Sequence, residues 1–487
     1  MAPGRPTTVT ARGWGWRHAG RRAWAVEGLD LRIDAGERVL LLGASGAGKS
    51  TLLQGLAGLL GGSDEGDQRG ELTLDGVSAA GLRGRAGLLL QDPDAQIVLA
   101  RVGDDVAFGP ENLGVAREEI WPLVVEALDA VGLDLPLDHS TSALSGGQKQ
   151  RLALAGIIAM RPGLVLLDEP TANLDPDGVR EVVDAIERML ARTGATLVVV
   201  EHRVATWLPI VDRVVVLAAG GGVLADGAPA DVLGSAADSL VEAGVWVPGR
   251  ATRFTPLRSR SDLEVMRAID LAVGRGTRIV QSGIDLRLAA GSALCITGPN
   301  GAGKSTAALA LGGLLPPLGG EVQVGEALAA RGERRPIRWS SRELITRIGS
   351  VFQDPEHQFV APTVRAELAI GPTAAGLGAR DVDARIDPLL DALRLRAIER
   401  ANPFTLSGGE KRRLSVATAL AAGPSVLILD EPTFGQDART WAELVRLLRG
   451  LQEQGTALIA VTHDQDFVDA VATDRLELHP LPVESVA

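Results

Sequence analysis

The sequence predicts an α/β protein with two similar halves, because its motifs recur at a nearly constant spacing and its short apolar runs alternate with helical stretches. The recurring residues lie 255 to 262 positions apart: Lys49 and Lys304, Gln91 and Gln353, Ser145 and Ser407, Glu169 and Glu431, and His202 and His463. The apolar runs have the length of buried parallel strands: 39–42, 164–167, 197–200, 294–297, 426–429 and 458–461. A chain of 487 residues also exceeds the size that one hydrophobic core usually supports. We therefore expect two domains in tandem.

The domain boundaries follow from this repeat and from one atypical segment. Residues from about 227 to 262 are rich in Gly, Pro, Ser and Arg and lack a periodic apolar face over much of their length, which indicates a domain tail and a linker. We expect the first domain at 1–235, the tail and linker at 236–262, and the second domain at 263–487. The second half has 7 additional residues between Lys304 and Gln353, and the charged segment Gly332–Arg342 is interpreted as a surface insertion there.

Composition argues against several classes of protein. The net charge of -12 disfavours nucleic-acid binding, which normally needs a basic surface. The sequence contains no run of about 18 uncharged apolar residues, so we expect no membrane-spanning segment. The single cysteine, Cys295, lies in an apolar run and is expected to be a buried, unreactive thiol. One cysteine also rules out a disulfide framework or a cysteine-rich zinc module.

Two glycine-rich segments predict nucleotide binding. Gly43–Ser50 reads GASGAGKS and Gly298–Ser305 reads GPNGAGKS, and each lies between an apolar run and a helical pattern, as a P-loop does. In such a loop the backbone amides surround phosphates, the lysine reaches the β- and γ-phosphates, and the serine ligates magnesium. Only four lysines occur in the chain, and two of them are Lys49 and Lys304. The residues predicted to bind nucleotide are Gly43, Ser45, Gly46, Ala47, Gly48, Lys49, Ser50, Thr51, Gly298, Asn300, Gly301, Ala302, Gly303, Lys304, Ser305 and Thr306.

Two apolar strands end in paired acids, LVLLDE at 164–169 and VLILDE at 426–431. Neighbouring acids at a strand end can divide two tasks. Asp168 and Asp430 are predicted to hold magnesium, and Glu169 and Glu431 are predicted to polarise the attacking water. A general base contributes about 10²- to 10⁴-fold to a reaction rate.

A Ser-Gly-Gly turn precedes each pair of acids by the same distance. The turns read LSGGQ at 144–148 and LSGGE at 406–410, and each opens a predicted helix. The serine hydroxyl, the glycine amides and the helix dipole form an anion-binding device for a γ-phosphate. The residues assigned to it are Ser145, Gly146, Gly147, Gln148, Ser407, Gly408, Gly409 and Glu410.

With these motifs the chain resembles the ATP-binding-cassette superfamily twice, over nearly its whole length. The resemblance implies, in each half, a P-loop NTPase domain with a RecA-like α/β core, an antiparallel β subdomain and a helical subdomain. It also implies a head-to-tail sandwich formed within one chain, in which the P-loop of one half and the LSGG turn of the other hold each ATP and its Mg²⁺.

The resemblance assigns further site residues. It implies that Gln91 and Gln353 contact magnesium and the attacking water, and that His202 and His463 contact the γ-phosphate. The family stacks adenine on an aromatic residue upstream of the P-loop, and Trp16 is the residue assigned to this role. Its ungapped counterpart in the second half is Leu271, with Val273 nearby, so we expect weaker adenine discrimination there.

The segments around the glutamines indicate a subfamily. QDPDAQ at 91–96, QDPEHQ at 353–358 and DVAFGPEN at 105–112 closely resemble the ATPase components of energy-coupling-factor transporters, which import vitamins, vitamin precursors and metal ions. This resemblance implies a location at the cytoplasmic face of the cell membrane, with an integral transmembrane (T) component and a substrate-binding membrane (S) component as partners. A fused cassette pair is also similar to ATPases associated with a pyrimidine precursor of thiamine, although the chain itself does not identify the cargo.

Two alternatives remain open. A soluble tandem-cassette ATPase acting on the ribosome should carry a long basic linker, whereas the linker here has few basic residues in a chain of net charge -12. A fused sugar-importer ATPase commonly has a degraded second catalytic set, whereas Glu431 and His463 are both present. The importer of the energy-coupling-factor type is therefore the preferred interpretation.

Overall fold

The structure is a computed structural model that describes residues 4–62, 64–82, 84–172, 174–250, 252–255 and 261–481. It divides into two compact units, one of Met1–Ala251 with Asp437–Arg439 and one of Thr252–Gln436 with Thr440–Ala487. Residues 251 and 256–260 of the predicted linker lie outside the described residues.

The first half of the chain contains ten strands and eight α-helices among its described residues. The strands are β1 (Val9–His18), β2 (Val26–Ile33), β3 (Arg38–Gly43), β4 (Gly66–Leu74), β5 (Val77–Ser78), β6 (Ala86–Leu89), β7 (Leu164–Asp168), β8 (Thr196–Val200), β9 (Arg213–Leu217) and β10 (Val223–Gly227). The helices are α1 (Lys49–Leu56), α2 (Val102–Asn112), α3 (Arg117–Ala130), α4 (Gly146–Met160), α5 (Pro176–Thr193), α6 (Val204–Trp207), α7 (Pro229–Ser235) and α8 (Ala237–Glu242).

A six-stranded sheet forms the centre of the first unit, in the order β10-β9-β3-β8-β7-β6. All its strand pairs are parallel except β10 with β9. Successive residues of a strand face opposite sides, so β7 contributes Val165 and Leu167 to one hydrophobic core and Leu164 and Leu166 to another. Burial on both faces explains why this strand is a continuous apolar run.

Two further layers cover the central sheet of the first unit. An antiparallel sheet of order β2-β1-β4-β5 shares a core with the strand residues on one side. On the other side, α2, α3 and α4 pack against one another as a helical layer.

The second half repeats this layout with eight strands and seven α-helices among its described residues. The strands are β11 (Glu264–Arg275), β12 (Arg278–Ala289), β13 (Ala293–Thr297), β14 (Gly319–Val324), β15 (Ile348–Val351), β16 (Val426–Asp430), β17 (Ala457–Val461) and β18 (Asp474–Glu477). The helices are α9 (Lys304–Leu311), α10 (Ser341–Ile345), α11 (Val364–Ala374), α12 (Ala379–Ala392), α13 (Gly408–Ala421), α14 (Ala438–Glu453) and α15 (Gln465–Val471).

The second unit has the same three layers as the first. Its central sheet is parallel, in the order β15-β16-β17-β13-β18, beside an antiparallel sheet of order β12-β11-β14. Helices α11, α12 and α13 pack together as its helical layer. The predicted tandem α/β fold is therefore confirmed, and all six apolar runs form central strands.

The segment Gly332–Arg342 differs from its prediction as a surface insertion. Trp339 is only 9% exposed and belongs to the hydrophobic core of the second unit. Its indole Nε1 donates a hydrogen bond to the carbonyl of Glu333 at 2.9 Å. The description of this segment as a surface insertion is wrong for Trp339, because its ring anchors the segment in the core.

The composition led to two expectations, one about membrane-spanning segments and one about the single cysteine. In the described part of the chain, no helix is long and apolar enough to cross a membrane. Cys295 lies on β13 with a fully buried side chain, and this burial raises the pKa of its thiol to about 12. The expectation of a buried thiol is confirmed.

Candidate nucleotide-binding and hydrolysis sites

The first glycine-rich segment connects β3 to α1 by a backbone path that favours glycine. Gly46 and Gly48 have φ values of 81° and 88°, in the left-handed region. A Cβ atom on Gly48 would lie 2.4 Å from the carbonyl oxygen of Ala25. Lys49 is 9% exposed, and its Nζ donates to the carbonyls of Gly43 and Ala44 at 2.8 and 3.0 Å. The turn at the N-terminus of α1 suits a bound phosphate chain, with an ammonium group beside it.

The second glycine-rich segment has the same geometry between β13 and α9. Gly301 and Gly303 have φ values of 79° and 81°. Lys304 Nζ donates to the carbonyls of Gly298 and Pro299 at 2.8 and 2.9 Å. Both loops therefore suit the same ligand.

In the first unit, the predicted catalytic residues come together at the C-terminal end of the parallel strands. Glu169 follows β7 with a φ of 50°, which turns its side chain away from the strand path. Its Oε2 accepts a hydrogen bond from Gln91 Nε2 at 2.9 Å, and its Oε1 lies 3.1 Å from His202 Nε2. Burial alone would raise the pKa of Glu169, but His202, Lys49 and Gln91 together outweigh burial and lower it.

The preceding acid, Asp168, ends β7 and is 9% exposed. It accepts a hydrogen bond from the Ser50 hydroxyl, the first-turn serine of α1. Burial raises the pKa of Asp168 to about 6, with the charge of Glu169 acting in the same direction and the Ser50 hydrogen bond opposing it. A buried carboxylate beside a serine hydroxyl is suited to hard cations, which prefer oxygen ligands.

The second unit brings the same acids together but arranges their partners differently. Asp430 accepts from the Ser305 hydroxyl, and burial raises its pKa. Glu431 accepts from the Thr462 hydroxyl at 3.2 Å, whereas His463 Nε2 lies 3.9 Å from its Oε1 and 3.1 Å from Asn300 Oδ1. Burial and the neighbouring Asp430 charge raise the pKa of Glu431 to about 7.

Two oxygens of this second group are orphaned. Asp430 Oδ1 and Glu431 Oε1 are buried and have no hydrogen-bond partner within the described residues. Buried polar atoms are nearly always satisfied, so such a pair suits a bound cation or water. Gln353 is exposed, and in the described part of the chain it forms no side-chain hydrogen bond with Glu431. The structure thus joins Gln91 to Glu169 but does not join Gln353 to Glu431.

A buried acid that the sequence reasoning missed supports the first site. Glu201 is 5% exposed and directly precedes His202. One carboxylate oxygen accepts from the backbone of Thr171 at 3.0 Å, and the other accepts from the backbone of His202 at 2.8 Å. Glu201 therefore fixes the segment after Glu169 to the segment that carries His202. The available signal was an acid at the end of an otherwise apolar strand.

The two Ser-Gly-Gly turns form the N-termini of α4 and α13 as capping boxes. Ser145 Oγ accepts from the backbone of Gln148 at 3.3 Å, and Gln148 Oε1 accepts from the backbone of Ser145 at 2.9 Å. Ser407 and Glu410 make the equivalent pair of bonds at 3.4 and 2.8 Å. The serines and glycines thus present a helix N-terminus suited to an anion, while Gln148 and Glu410 satisfy the helix ends.

The remaining two lysines attach these helices to the glutamine segments. Lys149 pairs with Asp94, and Lys411 pairs with Glu356, in both cases side chain to side chain. All four lysines of the chain therefore lie in the motif regions.

The prediction that Trp16 stacks on adenine is wrong. Trp16 is 1% exposed and packs in the core between the two sheets of the first unit, so its ring faces are covered. Its Nε1 donates to Nδ1 of His18 at 3.3 Å. His18 ends β1, is half-buried, and places its Nε2 3.2 Å from the Thr51 hydroxyl on α1. His18 is the aromatic residue beside the glycine-rich loop.

Strand pairing also identifies the counterpart of these residues in the second unit. Trp16 pairs with Val26 across β1 and β2, and Val273 pairs with Gln281 across β11 and β12. Val273 is therefore the equivalent of Trp16, and β11 ends at the exposed Arg275 where β1 ends at His18. Arg275 thus holds the position equivalent to His18, and its side chain is not aromatic.

Comparisons with known proteins agree with this geometry. The family model for ABC transporters matches residues 26–172 and 281–434. The chain is 35% identical over 482 residues to YkoD of Bacillus subtilis (strain 168), named as an HMP/thiamine import ATP-binding protein, covering 93% of this chain and 86% of that protein. It is 32% identical to the protein TTE1589 of Caldanaerobacter subterraneus subsp. tengcongensis, named as an ABC transporter ATP-binding protein, covering 90% of this chain and 84% of that protein.

A solved structure agrees in fold. The archaeal ribosome recycling factor aABCE1, in its complex with the ribosomal stalk protein aP1, aligns with a TM-score of 0.61 at 21% identity, covering 96% of this chain and 87% of that chain. At this identity the likeness concerns the tandem fold. The two glycine-rich loops and the two family matches make the chain an ATP-binding ATPase. It belongs to the ABC transporter family and carries two cassette domains in tandem.

Proposed function

We propose that this ATPase drives a membrane importer of the energy-coupling-factor type, whose cargo is a vitamin, a vitamin precursor or a metal ion. The observation that carries the proposal is the 35% identity to a protein named for HMP/thiamine import, over 93% of this chain and 86% of that protein. The match spans both cassettes. The proposal places the chain at the cytoplasmic face of the membrane, with a transmembrane (T) component and a substrate-binding membrane (S) component as partners.

In each proposed site, a lysine and a glycine-rich loop hold the phosphates of ATP. Lys49 serves the first site and Lys304 the second. Mg²⁺, when bound, neutralises charge on the β- and γ-phosphates. The oxygens suited to hold it are those of Ser50, Asp168 and Gln91 in the first site, and of Ser305, Asp430 and Gln353 in the second.

The proposed hydrolytic step uses the glutamate after each strand. Glu169 accepts a proton from the attacking water, and its lowered pKa keeps it ionised at neutral pH. Gln91 and His202 donate hydrogen bonds to the two carboxylate oxygens and so fix the direction of the carboxylate. Besides orienting Glu169, His202 contacts the γ-phosphate. In the second site, Glu431 takes the proton-accepting role and His463 contacts the γ-phosphate.

Each site is proposed to be composite, as the resemblance to the ATP-binding-cassette superfamily implies. The turn of Ser407, Gly408 and Gly409 serves the nucleotide at Lys49. The turn of Ser145, Gly146 and Gly147 serves the nucleotide at Lys304. Since both cassettes lie in one chain, the pair needs no second copy.

Two exposed valines support a membrane partner. Val98 follows the first glutamine segment and is 60% exposed, and Val360 follows the second at the matching position and is 78% exposed. Single exposed apolar residues are common on protein surfaces. Their recurrence at equivalent positions of both cassettes supports a surface where the transmembrane component docks.

Ribosome binding is the second candidate, since a ribosome recycling factor shares the tandem fold. The few basic residues of the linker and the net charge of -12 argue against an RNA-bound role. The co-purification experiment described next separates the importer from a ribosome-bound ATPase.

The test is purification of the full chain, tagged, from membranes of its host in mild detergent, with mass spectrometry of what accompanies it. The proposal expects a polytopic membrane protein and a small membrane-embedded binding protein. The variant Val98→Asp/Val360→Asp is the matched control, which should lose both partners while it still binds ATP. Recovery of ribosomal proteins without a membrane partner would overturn the importer and retain the ATPase.

A further inference from the structure

Arg412, on helix α13, is buried beneath the glutamine segment of the second unit, residues 353–358. Its side chain is 3% exposed. Nη2 donates to the carbonyl of Gln353 at 2.5 Å, and Nη1 donates to the carbonyl of Phe352 at 2.8 Å and to that of Asp430 at 3.4 Å. One guanidinium therefore joins α13, the start of the glutamine segment and the end of β16.

Ser415, one turn further along α13, holds the other end of this segment. Its hydroxyl donates to Gln358 Oε1. The Gln358 amide in turn donates to the carbonyl of Ser350 at 2.8 Å, and its Oε1 accepts from the backbone of Phe352 at 3.1 Å. Helix α13 thus contacts the segment at both ends through polar side chains.

The first unit has neither the arginine nor the serine at the equivalent positions. Gln150 replaces Arg412 and Ala153 replaces Ser415, 262 residues earlier in each case. Gln150 is 1% exposed, and its Nε2 has no hydrogen-bond partner within the described ranges of the chain. The lysine pairs do not explain this difference, because Lys149 and Lys411 bind an acid in both units.

The contacts of Arg412 are strong because the donor is charged. Hydrogen bonds from an ionised donor are roughly twice as strong as neutral ones. An arginine guanidinium is charged at neutral pH, and three carbonyls accept hydrogen bonds from its Nη1 and Nη2 groups.

We propose that Arg412 is a positioning residue that couples the glutamine segment of the second site to helix α13. Through this contact, the position of helix α13 determines the position of Gln353. In the first site, by contrast, Gln91 is placed by its direct bond to Glu169. This inference rests on the proposed roles of Gln353 and Glu431. It implies that a movement of α13 is transmitted to Gln353 more directly than a movement of α4 is transmitted to Gln91.

The first test is amide hydrogen exchange in the full chain without nucleotide. Arg412→Gln installs the residue that the first unit has, and it should speed exchange of residues 352–358 by about 10-fold, as the loss of a charge-assisted hydrogen bond predicts. Exchange of residues 90–96 should not change. Ser415→Ala should speed exchange at the Gln358 end alone. The matched control is Arg446→Gln, at an exposed arginine of α14.

The second test separates positioning from general stabilisation by steady-state hydrolysis. Arg412→Gln should lower kcat by about 10-fold, the size typical of a lost outer-shell contact, with the KM for ATP nearly unchanged because the glycine-rich loop is intact. Arg412→Lys should restore part of kcat, since an ammonium group can donate to the same carbonyls.

Unchanged exchange of residues 352–358 in Arg412→Gln would overturn the inference, and so would faster exchange spread evenly over the whole second unit. The exchange result does not depend on which residues catalyse hydrolysis. If the proposed catalytic roles are wrong, Glu431→Gln and Glu169→Gln will instead hydrolyse ATP at the normal rate, while Arg412→Gln still speeds exchange of residues 352–358.

Discussion

Glu169 and Glu431 occupy the same motif but have different contacts. Glu169 is bonded to Gln91 and His202, whereas His463 is held by Asn300 of its own glycine-rich loop and lies 3.9 Å from Glu431. These neighbours explain why the pKa of one glutamate is lowered and that of the other is raised to about 7. Identical motif residues can therefore carry different protonation equilibria.

At the same scale, the aromatic contact to adenine can be assigned by substitution. We predict that His18→Ala weakens ATP binding by about 1 to 3 kcal/mol, the range for a base stacked on an aromatic ring. Trp16→Phe should lower the melting temperature and leave ATP affinity nearly unchanged, because the Trp16 ring is buried. Titration with a fluorescent ATP analogue and thermal melting measure both effects. The reverse pattern, with Trp16→Phe alone weakening binding, would restore the stack on Trp16.

The burial of Trp16 could not be predicted from the spacing of the motifs. The residue was located by counting back from the glycine-rich loop, and counting cannot show which face of a strand a side chain occupies. The β1–β2 connection spans residues 19–25 and the β11–β12 connection only 276–277, so ungapped counting also misaligned the second unit. Motifs that lie within one short turn, such as Gly43–Ser50, do not depend on which face of a strand a side chain occupies or on the length of a connection.

At the scale of elements, the conformation of the first glycine-rich loop depends more on Gly48 than on Gly46. A side chain on Gly48 would meet the Ala25 carbonyl at 2.4 Å, whereas a side chain on Gly46 would meet nothing within 4 Å. Both have left-handed φ values, which cost an alanine about 1 to 2 kcal/mol.

We therefore predict that Gly48→Ala destabilises the first unit and weakens ATP binding more than Gly46→Ala does. Gly46→Ala should show only the backbone cost of about 1 to 2 kcal/mol. Thermal melting and ATP titration of the two full-length variants test this. Equal losses would mean that backbone conformation alone, without steric contact to β2 and its preceding loop, determines the effect.

The capping interactions at the N-termini of α4 and α13 could also be predicted from the sequence. The pattern Ser-x-x-Gln or Ser-x-x-Glu at 145–148 and 407–410 is the capping-box signature, so the capping role of Gln148 and Glu410 was readable from the sequence. The burial of Trp339 was not, because the segment around it is charged and its core contact depends on tertiary packing.

At the scale of the whole molecule, the tandem fold was predictable because six of the central strands are apolar runs and the motifs recur in the same order in both halves. The asymmetry between the cassettes was not predictable from those motifs. It arises partly at positions outside them, where Glu201 corresponds to Thr462, Gln150 to Arg412 and Ala153 to Ser415. It arises partly within the glycine-rich motif, where Ser45 corresponds to Asn300. The two sites of one chain are therefore chemically distinct although most of their motif residues match.

The central claim is that two glutamates activate water at two sites, and single-turnover hydrolysis of radiolabelled ATP tests it most directly. The full-length chain should be compared with Glu169→Gln, Glu431→Gln and the double variant, with ATP binding measured in parallel. The double variant should bind ATP normally and lose about 10²- to 10⁴-fold in hydrolysis rate. Hydrolysis at the unaltered rate by the double variant would contradict the account.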